Sequence, residues 1–349
     1  MTYLSIGLGV LILVVGGELL VRHSSRLAIG LGVSPLVVGL TVVAFGTSSP
    51  ELISSVYGQW IGKGSLAVGN VVGSNIFNVL FILGLSAVVT PLLVNAKLLR
   101  IEVPVVLALS LLGFGFAYSG TISGVEAGLL LSILIGYTVW LVRSSSGQPP
   151  DETSDTEQTH WGISTGLIFL ALALVVGGGQ LFVTGSVQLA RTFGIEESVI
   201  GLTIVAAGTS LPELVTSVLA CLRGEGEIAV GNVLGSNIFN ITGVLGLSGL
   251  VGAEALSVSD GLLNFDMPIM IATAVICLPI FFTGTRIDRC EGAVFMTYYV
   301  GYVVYLVLNA TDHAATASFA HAMLWFVVPL TLLTLGAVGF RQFGAEAAE

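Results

Sequence analysis

One stretch of this chain occurs twice: Gly39 to Ser86 reappears as Gly201 to Ser248, offset by 162 without a gap, with about 30 of 48 positions identical. GLTVVAFGTSSPELISSV is answered by GLTIVAAGTSLPELVTSV, and AVGNVVGSNIFN from Ala67 by AVGNVLGSNIFN from Ala229. Weaker echoes follow. Glu102-Val-Pro104 matches Asp266-Met-Pro268, and Glu126 with Gly136-Tyr137 matches Glu291 with Gly301-Tyr302. The repeated unit is therefore much longer than its best-matched core.

The solvent around that unit is lipid. Hydrophobic residues make up 54% of the chain, charged residues only 9%, and the mean hydropathy is +0.99, against about 25% charged in an ordinary soluble domain. Apolar runs predict spans at 3–21, 34–58, 66–90, 101–118, 123–142, 161–183, 196–222, 228–251, 265–283, 291–308 and 319–340. The opening apolar run meets Arg22 and His23 without a small-residue cleavage site, so it reads as a retained first span. Spans 1 to 5 form one copy and spans 6 to 10 the other. Five is odd, so the two copies enter the membrane in opposite directions.

The expected architecture is thus an all-α polytopic membrane protein of two inverted five-helix repeats plus one extra C-terminal transmembrane helix. Its parts are residues 1–143, an acidic linker at 144–160, the second repeat at 161–310, and the extra span and tail at 311–349. With the N-terminus outside, inner loops carry Arg22, Arg26, Lys97, Arg100, Arg143, Arg223, Arg286, Arg289 and Arg341, and outer ones only Lys63 and Arg191. That asymmetry predicts N-out, C-in and a cytoplasmic linker, in a cell membrane crossed many times.

A formal charge of −10 and a pI near 4.8 argue against nucleic acid and make a cation the natural partner besides the bilayer. Cys221, Cys277 and Cys290 lack the spacing of a disulfide framework or zinc site.

The best-repeated residues are polar and lie inside apolar spans, where burial is costly. Pro50 and Pro212 lack an amide donor and clash with the preceding turn, which predicts broken helices with freed carbonyls near Ala44 to Thr47 and around Gly208. Glu51 shares a helix face with Thr47 and Ser48, as Glu213 does with Thr209 and Ser210. Asn70, Ser74 and Asn78, and Asn232, Ser236 and Asn240, recur every four residues along one stripe of spans 3 and 8. Asn75 and Asn237, off that stripe, read as bridges between helices. The Gly69–Gly73 and Gly231–Gly235 pairs have the GxxxG spacing that admits a neighbouring backbone.

Neither broken span holds a basic residue, so two carboxylates in hydrocarbon call for a bound cation. A set of oxygens without His or Cys suits Ca²⁺ or Na⁺ rather than zinc or copper, and Mg²⁺ demands a stiffer octahedron. Glu18 reads as a local partner of Arg22 or an interfacial residue; Glu102, Asp266, Glu126 and Glu291 read as interfacial. His23, His160, His313 and His321 fall in or beside loops, and none reads as a ligand.

The doubled GTSxPE and GNVxGSNxFN resemble the two alpha repeats of the cation/calcium exchanger superfamily, in its prokaryotic sodium/calcium exchanger branch. The resemblance implies metal-binding roles for Glu51, Glu213, Thr47, Ser48, Thr209, Ser210, Ser74, Ser236, Asn78 and Asn240, with carbonyls from Ala44 and Ala206. It implies no cofactor and no enzymatic activity, with Ca²⁺ and Na⁺ as transported ions. Some relatives, including potassium-dependent ones, carry Asp where this chain has Asn240, and animal exchangers add a large regulatory domain where this chain has a linker.

The expected function is secondary active antiport of Ca²⁺ for Na⁺, by alternating access at a midplane site formed by the two glutamates, with spans 1 and 6 gating against spans 2, 3, 7 and 8. The alternative readings are a Ca²⁺/H⁺ exchanger and a passive cation channel; a channel favours a symmetric ring of ligands.

Overall fold

Apolar runs this long satisfy their backbone polar groups internally in lipid only as helices, and helices dominate the molecule. The computed structural model describes residues 2–93, 101–145, 161–193, 204, 206–252, 254–282 and 286–324. The first half runs through α1 (Thr2–Leu31), α2 (Pro35–Val38), π1 (Gly39–Val43), α3 (Ala44–Thr47), α4 (Ser49–Trp60), α5 (Gly64–Phe77), π2 (Asn78–Leu83), α6 (Gly84–Val89), β1 (Leu92–Leu93), α7 (Val103–Ala117), β2 (Thr121–Ile122) and α8 (Gly124–Ser145). The second half runs through α9 (Trp161–Thr192), α10 (Ala206–Thr209), α11 (Leu211–Leu222), α12 (Gly226–Phe239), π3 (Asn240–Val244), α13 (Leu245–Val251), β3 (Leu256–Ser257), π4 (Leu262–Asp266), α14 (Met267–Phe282), β4 (Arg286–Ile287), α15 (Arg289–Ala310) and a short α16 (Thr316–Ala322).

Among the described residues six helices are long and apolar enough to cross a bilayer, and the bent pair Pro35–Thr47 with Ser49–Trp60 makes a seventh. Residues 146–160 of the expected linker, the first part of span 7 and 325–340 of span 11 lie outside the described residues. The helices of spans 1 and 6 run about ten residues beyond the expected 3–21 and 161–183, to Leu31 and Thr192. Hydropathy locates apolar side chains, whereas a helix past Arg22 continues because Leu27 and Ala28 still pack inward.

Burial is graded from centre to rim. The α12–α13 segment is wholly buried over its most apolar window and α5–α6 is 78% buried, against 6% for α15. The two segments that carry the repeated asparagines and serines therefore sit at the centre, surrounded by protein rather than lipid. Close approach at the centre depends on glycine: a Cβ on Gly235 would lie 2.6 Å from the Leu40 carbonyl oxygen, and one on Gly231 2.8 Å from that of Leu36. These contacts hold α12 backbone to backbone against the first broken span, as the GxxxG spacing predicts. Residues 201–205, the counterparts of Gly39–Val43, are described only at 204; among the described residues a Cβ on Gly69 would lie 3.8 Å from the Leu262 side chain and one on Gly73 would meet nothing within 4 Å.

Both α4 and α11 end in a left-handed glycine, Gly62 at φ 76° and Gly224 at φ 78°. The following amides reach back to Gly58 O at 2.9 Å and Ala220 O at 2.8 Å. This cap turns each chain sharply into the next helix and needs a residue without a Cβ penalty. The halves interlock at both ends of the bundle. Antiparallel β1–β4 pairs Leu92 with Ile287, and β2–β3 pairs Thr121 with Ser257.

Candidate cation site

The break expected at Pro50 is present: α3 and α4 meet at 45°, with Ser48 at φ −81°, ψ 8° between them. The expected freeing of the Ala44 carbonyl is corrected. It accepts the Ser48 amide at 3.0 Å, and a cap amide also reaches the Gly46 carbonyl. Proline removes the donor four residues on from Gly46, whereas the donor serving Ala44 is Ser48, which keeps its hydrogen. Ala44 retains a second lone pair. Ala206 begins α10 at the equivalent place.

Glu51 and Glu213, each third in its helix after the break, are fully buried. Their partners cross between halves. Ser48 Oγ donates to Glu213 Oε1 at 2.8 Å, and Ser210 Oγ donates to Glu51 Oε1 at 2.7 Å. Each serine thus serves the distant carboxylate rather than the one three residues along its own chain; at Ser48 the 45° break swings the hydroxyl toward the other half. Ser74 Oγ lies 3.2 Å from Ser210 Oγ.

Other members of the stripe are structural. Asn232 Nδ2 donates to the Glu213 carbonyl at 3.2 Å and to Ser217 Oγ at 3.0 Å. Asn70 Nδ2 donates to the Glu51 carbonyl at 3.3 Å and Ser55 Oγ at 3.0 Å. These two amides fasten each broken helix to the span that follows it. Thr47 donates to Asn232 Oδ1 at 3.0 Å, and Thr209, half-buried at the end of α10, holds the matching position. Sequence reasoning passed over Ser55 and Ser217; their place four residues after each glutamate, 162 apart, was the available signal.

Among the described residues, five oxygens of the predicted ligand set are buried without a hydrogen-bond partner, Glu51 Oε2, Glu213 Oε2, Asn78 Oδ1, Asn240 Oδ1 and Ser236 Oγ; His23 Nδ1 and the hydroxyls of Ser24, Ser86, Thr216 and Ser248 share that condition outside the set. An unpaired buried acceptor costs about 1–3 kcal/mol, more when charged, so the cluster is set up for something positive. The described ion pairs, Arg223 with Glu18 and Arg286 with Asp288, use neither site glutamate. Among the described residues no group of three or more His, Cys, Asp or Glu forms. What the centre offers is two carboxylates among neutral oxygens, a donor set for hard cations.

The outlying acids sort differently from expectation. Glu18 pairs with Arg223 and not with Arg22, because α11 ends beside α1. Glu102 is buried and accepts the Tyr137 hydroxyl, so it is not interfacial. Its counterpart Asp266 accepts Tyr302 Oη at 2.7 Å. Glu126 and Glu291 cap α8 and α15 through the Ser123 and Asp288 amides, at 2.7 and 2.9 Å.

Known proteins resemble this chain over most of its length. The family described as "Sodium/calcium exchanger protein" matches residues 1–143 and 163–308. The sodium/calcium exchanger MaX1 of Methanosarcina acetivorans is 37% identical over 344 residues, which cover 87% of this chain and 98% of the relative. The putative antiporter CaxA of Alkalimonas amylolytica is 35% identical over 305 residues, 84% of this chain and 95% of CaxA. Among solved structures, the sodium-calcium exchanger NCX_Mj soaked with 2.5 mM Na⁺ and 1 mM Sr²⁺ superposes with a TM-score of 0.76 at 31% identity, over 87% of this chain and 97% of that one.

Proposed function

Since this chain belongs to the sodium/calcium exchanger family, we propose that it exchanges Ca²⁺ for Na⁺ across a cell membrane by alternating access, at a midplane site formed by Glu51 and Glu213. The observation that carries this reading is the cluster of partnerless buried oxygens on those two acids, Asn78, Asn240 and Ser236. Two carboxylates neutralise one Ca²⁺, and the neutral oxygens of Thr47, Thr209, Ser48, Ser210, Ser74, Ser236, Asn78, Asn240, Ala44 and Ala206 complete a set that also accepts Na⁺. Without a cation the two charges face each other in low dielectric, so reorientation of an empty site is penalised and exchange is coupled.

The reading has 11 spans, N-out and C-in, with repeats at 1–143 and 161–310 joined by a cytoplasmic linker at 144–160 and followed by an extra span within 311–349. The cross-half strands support its parity, since β1 and β4 then share the inner side and β2 and β3 the outer. Spans 1 and 6 act as one gate. Their helices meet at glycines, where a Cβ on Gly9 would lie 2.7 Å from the Phe182 amide nitrogen and one on Gly178 2.8 Å from that of Leu13.

The test is ⁴⁵Ca²⁺ uptake into proteoliposomes. An outward Na⁺ gradient is expected to drive uptake without K⁺, and a pH gradient in sodium-free buffer to drive little. Uptake driven by the pH gradient and not by Na⁺ would replace this reading with Ca²⁺/H⁺ exchange.

A further inference from the structure

Two buried amides beside the site belong to neither the carboxylate pair nor the ligand stripe. Asn75 on α5 and Asn237 on α12 face each other across the two halves, 1% and 2% exposed. Asn75 Nδ2 donates to the Asn237 carbonyl at 3.3 Å, and Asn237 Nδ2 donates to the Asn75 carbonyl at 3.5 Å. The outer oxygens of the same amides are then taken crosswise. Asn78 Nδ2 donates to Asn237 Oδ1 at 2.9 Å, and Asn240 Nδ2 donates to Asn75 Oδ1 at 3.0 Å. The remaining atoms of that four-amide ring are Asn78 Oδ1 and Asn240 Oδ1, both buried and partnerless.

An asparagine amide is nearly symmetric in shape, so packing alone does not decide whether oxygen or NH₂ faces a neighbour; partners decide. Here the choice propagates outward from the backbone. A main-chain carbonyl only accepts, so Asn75 and Asn237 must turn NH₂ toward it and oxygen away. That oxygen in turn only accepts, so Asn240 and Asn78 must give it their NH₂. Flipping Asn78 would set two oxygens 2.9 Å apart and aim two N–H groups at the cluster of acceptors. Flipping Asn237 would place its oxygen against the Asn75 carbonyl.

We propose that Asn75 and Asn237 are positioning residues that fix the amides of Asn240 and Asn78 oxygen-first toward the bound cation, each acting on the ligand of its neighbour's helix. The inference rests on the proposed cation site and assigns a role within it. Asn237 thereby governs Asn78, and Asn75 governs Asn240.

The wiring is tested by ⁴⁵Ca²⁺ binding to the purified full-length protein in a double-mutant design. Asn237→Leu is expected to weaken Ca²⁺ binding about tenfold, the loss of one correctly turned ligand. In an Asn78→Asp background, where either orientation of the side chain presents an oxygen, the same substitution should change binding less than about twofold. Asn75→Leu in that background should still cost about tenfold, and Asn240→Asp should remove its cost instead. A purely structural role would lower binding equally in every background. Asn237→Ala and Asn75→Ala, with size-exclusion profiles for all variants, serve if the leucine variants do not fold. Equal losses in both Asp backgrounds, with wild-type protein binding Ca²⁺, would overturn the inference alone. Failure of wild-type protein to bind Ca²⁺ would overturn the site assignment and this inference with it.

Discussion

The crossing of the two serines predicts a pattern of energetic coupling that helix-face arithmetic does not. Ser210 Oγ donates to Glu51 Oε1 at 2.7 Å, with both groups buried. A hydrogen bond to a charged group contributes about 1.5–3 kcal/mol. At ~2.1 cal/mol/K of unfolding entropy per residue, this chain gains about 0.7 kcal/mol per kelvin, so the bond corresponds to roughly 2–4 K in Tm. The perturbations are Ser210→Ala, Glu51→Gln and their combination, beside the same cycle for Ser48→Ala with Glu51→Gln. Thermal unfolding is followed in detergent, in choline buffer free of Na⁺ and Ca²⁺. The cycle subtracts the relief of carboxylate repulsion that Glu51→Gln brings by itself. Coupling of about 1 kcal/mol is expected between Ser210 and Glu51, and again between Ser48 and Glu213, because Gln keeps a neutral acceptor and only the charged part of the bond is lost. Between Ser48 and Glu51, which share no hydrogen bond and communicate through Glu213, it should be clearly smaller. Large coupling within one half and none across would refute the crossed geometry.

Glu51→Gln and Glu213→Gln should each abolish Ca²⁺ exchange in proteoliposomes while leaving a monodisperse protein; near wild-type flux from either would remove that glutamate from the site. Gly235→Ala should lower Tm by about 1.5–4 K, because a Cβ 2.6 Å from the Leu40 carbonyl forces backbone apart at a cost of about 1–3 kcal/mol. Gly136→Ala, whose Cβ meets nothing within 4 Å, should leave Tm unchanged or raise it by about 1 K through helix propensity; equal effects would contradict the packing. A cysteine at Ser145, with the exposed Cys290 changed to Ser, should resist an impermeant thiol reagent applied outside intact cells and react after permeabilisation.

Residue type and the 162-residue offset single out the acids, hydroxyls and amides of the proposed site, because polar groups in apolar spans stand out and a repeat doubles the signal. Their connections were not legible. Counting along one helix pairs Ser48 with Glu51, whereas the break after Thr47 redirects it to a residue 165 positions away. The same limit explains Glu18, assigned to a neighbour one turn on but bonded across to Arg223. Glu102 looked interfacial because it opens a span, and its burial depends on Tyr137 arriving from the next helix. The π-helical turns that begin at Asn78 and Asn240 also had no sequence signal beyond the repeat, since the i→i+5 step is a response to packing. Helix ends at Leu31 and Thr192 were missed because charge marks an interface, not the end of a hydrogen-bond ladder.

The interlocked strands bear on how the protein is made. Leu92 waits for Ile287, a separation of 287 minus 92, or 195 residues, which a ribosome adding about 5–20 residues per second supplies in roughly 10–40 s. For the first 118 residues of that interval (210 minus 92) Glu51 has no Ser210 to donate to it, and for the first 145 (237 minus 92) Asn75 has no Asn237. The first half therefore enters the bilayer carrying uncompensated polar groups, and it finishes folding only when the second half arrives to receive them. An insertase or chaperone that shelters the early spans would shorten the chain's exposure at this stage, and slowing elongation between residues 145 and 210 should raise its degradation.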